Sequence, residues 1–227
     1  MFLCTRNFVL SGAFVLSSML SAVPSLAAPM IFNTGVDDAG APLSGNAVDT
    51  HYTIVNSSVF GPNAYAVRAA DAPTVITPGV WLLDNTTSSW LVPVVGVFFA
   101  DVPGVTDEMT YRTSFDLAGF DFATGRIDGR WATDDSGLRI RLNGVEVPGV
   151  GVAQFDVWTP FSITSGFVAG VNTLEFDTRS TLTPTGLRVE MAGAFRRSTT
   201  SVAAPEGLTA AVLMFGALTG ALRRRTS

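Results

Sequence analysis

The stretch Leu138-Arg139-Ile140-Arg141-Leu142-Asn143-Gly144-Val145-Glu146-Val147 decides the fold class. Its first five residues alternate strictly between apolar and charged, the period of a strand with one face buried and the other in water. Asn143-Gly144 then accept the left-handed backbone that a two-residue hairpin demands, and Val145 to Val147 bring the chain back.

The same pattern recurs on both sides of this hairpin. Toward the N-terminus, Tyr111, Phe115 and Leu117 share one face and Arg112, Ser114 and Asp116 the other. Ile127, Gly129 and Trp131 likewise oppose Arg126, Asp128 and Arg130. Thr133-Asp134-Asp135-Ser136-Gly137 reads as the turn leading into the hairpin. Shorter strands are expected at Thr50 to Val55, Trp81 to Leu83 and Trp90 to Val92. Val94 to Ala100, apolar nearly throughout, reads as a strand covered on both faces. Toward the C-terminus come Phe155 to Ile163, Asn172 to Asp177, and Gly186 to Met191 with Leu187, Val189 and Met191 inward. Helical periodicity is scarce in this body. Eight or more short strands in one domain predict an all-β chain, a two-sheet antiparallel β-sandwich.

Both ends of the chain differ from this body. Residues 1–27 have the form of a secretory signal peptide: Arg6, an apolar run from Phe8 to Leu20, and small residues at Ser25 and Ala27, with cleavage expected after Ala27. Its removal takes away Cys4, the single cysteine, so the exported chain forms no disulfide and must rest on its core. The β-sandwich domain is expected at 28–197, a linker at 198–204 and a distinct tail at 205–227. In that tail Pro205-Glu206 precede an uncharged run, Gly207 to Leu222, followed by Arg223, Arg224 and Arg225. The run predicts a transmembrane helix over 207–222, about 24 Å long, with its arginines on the cytoplasmic side.

Charge narrows the function classes. The 14 basic residues are all arginine, four of them in the two terminal segments, against 19 acids in the chain. Such an acidic body argues against nucleic acid, which is held chiefly by basic contacts to phosphate. His51 is the single histidine. It reads as a strand-edge or core residue, since it can build neither a zinc site nor a catalytic triad alone. Asp134 and Asp135 read first as turn residues, and otherwise as contacts to sugar hydroxyls or calcium. Asp37, Asp38, Asn46 and Asp49 gather oxygen ligands in a Gly-rich segment and are the candidate calcium ligands. No other cofactor is expected. Trp90 and Trp158, each beside a polar or proline-containing turn, are candidates to stack on a sugar ring or to pack in the core. Trp131, sharing a face with Ile127, is expected in the core.

Two resemblances add to this reading. The tail, with Pro205-Glu206, the apolar helix and Arg223 to Arg225, resembles the PEP-CTERM sorting signal of Gram-negative bacteria, with Gly207 standing in the place of the second proline. That resemblance implies an exosortase-type sorting enzyme as partner, a destination at the cell envelope, cell surface or extracellular matrix, and an association with exopolysaccharide. The body, through Trp131-Ala132-Thr133-Asp134-Asp135, Leu142-Asn143-Gly144, Gly170-Val171-Asn172-Thr173-Leu174 and Thr185-Gly186-Leu187, resembles the galactose-binding-like jelly-roll domain found in carbohydrate-binding modules. Together they imply a secreted or surface protein without catalytic activity that contacts extracellular polysaccharide. The alternatives are a purely structural or adhesive envelope protein, and a secreted glycan-active enzyme.

Overall fold

The computed structural model describes residues 29–57, 59–95, 107–181 and 184–198. The expected signal peptide, most of the Val94–Ala100 strand and the whole tail lie outside these residues. Ten strands are present in chain order: β1 (Val48–Ile54), β2 (Asn63–Val67), β3 (Trp90–Val92), β4 (Asp107–Asp116), β5 (Phe120–Asp134), β6 (Ser136–Leu142), β7 (Val145–Glu146), β8 (Thr159–Ile163), β9 (Val171–Ser180) and β10 (Gly186–Arg197). Every strand pairing is antiparallel. Among the described residues there is no helical segment.

Hydrogen bonding joins all ten strands into one sheet in the order β7-β6-β9-β4-β1-β2-β3-β10-β5-β8. The expectation of two separate sheets is corrected in that respect, yet the sheet folds over on itself. Trp131 of β5 lies 6.0 Å from Phe176 of β9 between ring centroids, and Phe161 of β8 lies 6.2 Å from the same ring. Strands far apart in the hydrogen-bonded order thus face one another across a shared core. The corners are thin: β1 meets β4 through Thr53↔Arg112 and Ile54↔Tyr111, and β3 meets β10 through Leu187↔Leu91. By contrast β10 follows β5 from Gly186↔Asp134 to Arg197↔Phe120. A sheet strongly twisted by the handedness of its strands curls in this way when both halves have an apolar face to bury.

The alternation read from the sequence places the core. Tyr111, Phe115, Ile127, Trp131, Ile140, Leu142, Leu174, Phe176, Leu187 and Val189 all turn inward. Gly137 is required by close approach, because a Cβ there would stand 2.6 Å from the Trp131 ring. Trp81 to Leu83, expected as a strand, instead belong to an irregular cap over residues 68–89. This cap forms a second apolar cluster on the outer face of β2, β3, β5 and β10, in which Val75, Ile76, Trp81 and Trp90 pack on Val67 and Ala132. Its apolar residues are sequence neighbours of turn formers, which hid their burial. The expected hairpin turn around Asp134-Asp135 is a crossover: β5 and β6 do not pair, and the chain passes there from one half of the sheet to the other.

Candidate functional site

On β4, β9 and β6 the residues that alternate with the core form a charged outer face. Registers Thr110↔Asp177 and Arg112↔Glu175 on one side of β9, with Arg139↔Asp177 and Arg141↔Glu175 on the other, set the groups side by side. Opposite charges in such cross-strand positions attract and hold one another's rotamers. Arg112 donates both Nε and Nη2 to Glu175 Oε1, at 2.8 and 2.6 Å. Arg141 donates Nε and Nη2 to the two oxygens of Asp177, at 2.9 and 2.7 Å, and reaches Glu175 Oε2 through Nη1 at 3.0 Å. Thr110 Oγ1 and Arg139 Nε complete the set on Asp177, at 2.8 and 2.7 Å. Arg179 pairs with Glu108 at the next rung.

Asp177 and Glu175 are buried by these partners, while the arginines remain partly exposed. Burial alone would raise the Asp177 pKa, but the bonds from Arg141, Arg139 and Thr110 outweigh it and hold the carboxyl below its ordinary value. A cleft of about 360 Å³ lies over this face, with Thr110, Arg139, Arg141 and Asp177 in its lining beside Glu108 and Glu146. Arg139 uses its Nε on Asp177, leaving its two Nη groups without a hydrogen-bond partner among the described residues. The cleft therefore offers donors and acceptors already fixed in direction, and paired charges that nearly cancel.

A related arrangement on β10 and β5 is sealed. Arg188 is 0 % exposed. Its guanidinium donates to Ser88 Oγ and to the carbonyls of Leu82, Leu83 and Ser88, all in the cap. Burial lowers its pKa to about 10, with Glu190 opposing. Glu190 takes two bonds from Arg130 on Oε2 and bonds from Asn85 and Ser88 on Oε1. Burial would raise the Glu190 pKa, and these partners reverse the direction. Here the charged residues of two strands serve to fasten a loop.

The sequence candidates fall in different places. Trp90 is fully buried in the cap cluster, its ring 4.3 Å from that of Trp81 and its Nε1 bonded to the Leu82 carbonyl, so no face of it meets solvent. Trp158 is partly buried at the margin of that cluster, with the guanidinium carbons of Arg130 and Arg188 at 4.5 and 5.4 Å from its ring centroid. Trp131 is in the core, as expected. Asp134 is buried and accepts from Trp81 Nε1 at 2.7 Å. Burial pushes its pKa up to about 7, the Trp81 bond opposing and the neighbouring Asp135 adding to the rise. Asp135 binds the backbone and hydroxyl of Thr181 instead.

The candidate calcium ligands are each engaged with other partners. Asp37 caps the backbone N–H groups of Ala39 and Ala41, and Asp49 accepts from Gly35 and His51 backbone N–H groups. Asp38 meets His51 Nε2 at 2.9 Å, while Asn46 turns to Asp71. His51 stacks on Phe32 with centroids 3.5 Å apart. Among the described residues no three His, Cys, Asp or Glu side chains group as a metal site. Ala27 and the sorting residues Pro205, Glu206, Arg223, Arg224 and Arg225 lie outside the described residues.

The groups lining the open cleft were missed by the sequence reading. Their signal was present in the polar half of each alternating strand, but three strands distant in sequence become one surface only once β9 is known to lie between β4 and β6. No family model matches this chain, and no curated protein matches it. Among solved structures it is similar to a carbohydrate-binding module, CBM35 from Paenibacillus barcinonensis, at 16% identity over 64% of this chain and 93% of that one, with a TM-score of 0.33.

Proposed function

We propose that this chain is a non-catalytic, exported glycan-contacting protein of the galactose-binding-like kind, and that the open cleft over β4, β9 and β6 is where it meets polysaccharide. The observation that carries the reading is the fixed alternation of donors and acceptors there. A sugar hydroxyl both gives and takes a hydrogen bond, so it pairs equally with Arg139 Nη, Thr110 Oγ1 or Glu146. Because their bonds to Asp177 hold Arg139 and Thr110 in place beforehand, little freedom of those side chains is lost on binding. Near-cancelling charge favours a neutral polyol surface over a strongly ionic one. Trp158, with its indole partly open beside Arg130, lies on the other outer face, over β5 and β10, and would be a separate contact rather than an extension of the cleft.

The export and sorting readings belong to the same proposal: a cleaved leader ending at Ala27, and a tail that an exosortase-type enzyme recognises in the membrane of a Gram-negative bacterium. The test of the binding reading is retention of the purified chain on a panel of immobilised polysaccharides, against Arg139→Ala. Retention by the native chain and its loss in the variant, at unchanged melting temperature, supports the cleft. Absence of retention on every glycan favours a structural or adhesive role, and release of reducing ends from any of them would make the protein an enzyme. For sorting, mass spectrometry of the C-terminus in a native host should show loss of Arg223 to Ser227 from the extracellular pool.

A further inference from the structure

We infer that one end of the sandwich is built to rest on the bilayer surface, namely the end from which the chain leaves toward its apolar tail. The inference rests on reading residues 207–222 as a membrane segment and goes beyond it by naming the surface that touches the lipid.

The end is defined by contacts. Leu117 N–H bonds the Gly170 carbonyl, and Ser198 N–H bonds the Gly119 carbonyl. Asn143 Nδ2 donates to the Gly166 carbonyl and to Asn172 Oδ1. Phe167 and Phe195 lie 5.2 Å apart between centroids, and Phe120 lies 6.4 Å from Phe195. The β4–β5 turn, the loop before β9, the β6–β7 hairpin and the last residues of β10 therefore cluster together. Below them the aromatic rings close the core.

Four large apolar side chains stand outside that closure: Phe122 at 41%, Val145 at 70%, Val168 at 45% and Val171 at 63% exposure. Single exposed apolar residues are ordinary, but several around one end mark an interaction surface. Charges there balance, with Arg196 and Arg197 beside Asp116 and Asp121, all exposed. The contact is therefore apolar rather than driven by lipid charge. The Arg197 guanidinium carbon lies 5.4 Å from the Phe120 ring centroid, a cation–π contact at this end.

The tail supplies the occupant. Residues 199–206 separate Ser198, just past the end of β10, from the apolar run. Fully extended, they span at most about 30 Å. In the unprocessed chain, a tail helix in the bilayer would hold this end within that distance of the lipid, and such a tether raises the local concentration enough for a weak contact to persist until the tail is removed.

The test uses the leader-free chain with its tail, reconstituted in vesicles of phosphatidylethanolamine and phosphatidylglycerol. Leader removal takes away Cys4, so Phe122→Cys and Val171→Cys each carry one environment-sensitive dye. Leu83→Cys is the control, since Leu83 lies on the cap beside Arg188, nine residues of β10 from Arg197. Shielding at 122 and 171, with blue-shifted emission and quenching by nitroxide lipids, is expected at low and high salt alike, while 83 stays wet. Val145→Asp combined with Val171→Asp should float with the vesicles as before and lose the shielding at 122. Equal signals at all three positions in floating protein would overturn the inference while leaving the tail reading intact. Shielding that persists without lipid would overturn it in favour of coverage by the tail or a second copy. Failure to float would remove the tail reading and this one with it.

Discussion

The open face of β4, β9 and β6 and the sealed face of β10 and β5 use the same materials. Each has arginines and carboxylates on alternate positions of long antiparallel strands, joined by paired hydrogen bonds. They differ in what lies above. Over β10 the 68–89 cap gives Arg188 three carbonyl oxygens and a hydroxyl, and the guanidinium is lost to solvent. Over β9 nothing among the described residues takes the Nη groups of Arg139, and a cleft remains. A charged strand face is thus a neutral ground plan, and the covering loop decides whether it fastens the fold or faces a ligand.

The contrast can be broken most severely at Arg188. Arg188→Met removes the partner of four cap groups and leaves Glu190 short of a counter-charge, and should cost about 3–5 kcal/mol, read as a lowered midpoint in urea. Asp177→Ala, on the open face, strands Thr110 and frees two half-exposed arginines that water can serve. A smaller loss of about 2 kcal/mol is expected in the same measurement. Near-equal losses would mean that the cap contributes little and the two faces are alike.

Next comes Asp134, under the cap beside Trp81. Its folded pKa, about 7, lies above the ordinary carboxylate value, so the folded state holds a proton that the unfolded chain has released. Its stabilising effect is therefore full below about pH 4 and is lost as pH rises toward 7. Asp177 and Glu190, held low, act in the opposite sense and lose their contribution only as acid protonates them. Asp134→Asn should accordingly raise stability by about 1–3 kcal/mol at pH 8 and leave it unchanged at pH 4, in paired melting curves. A gain that is the same at both pH values would show that the fold does not shift the Asp134 pKa from its unfolded value.

The smallest stability effect belongs to Arg139→Ala. Its single ion pair is half-exposed, and exposed pairs are worth about 0–1 kcal/mol. Its effect on polysaccharide retention should be far larger than its effect on the melting temperature, which is the mark of a residue kept for contact.

Much of the fold was legible because strand alternation is local. The hairpin at Asn143-Gly144, the inward rows of β4, β5, β6 and β10, and the core position of Trp131 follow from period and turn chemistry alone. The cap was not legible, since Trp81 and Trp90 become buried through an irregular loop whose apolar residues keep no period. Asp134-Asp135 misled for a related reason: turn-forming residues mark a change of direction, but not whether the next strand pairs with the last or with a distant one. The cleft was the least legible of all, because its groups come from strands that meet only through sheet order.

The thin corners of the sheet have a mechanical meaning. A protein gripped at its C-terminus and loaded through a ligand on β9 would feel force enter along β10 and leave on the other half. One residue pair at β3–β10 and two at β1–β4 transmit little tension between those halves, while the long β10–β5 ladder is loaded in shear along its whole length. The remaining load must cross the shared core, where Trp131 and Phe161 meet Phe176. Under such a pull the two halves would part across the core before the best ladder unzips, so mechanical resistance depends on aromatic packing.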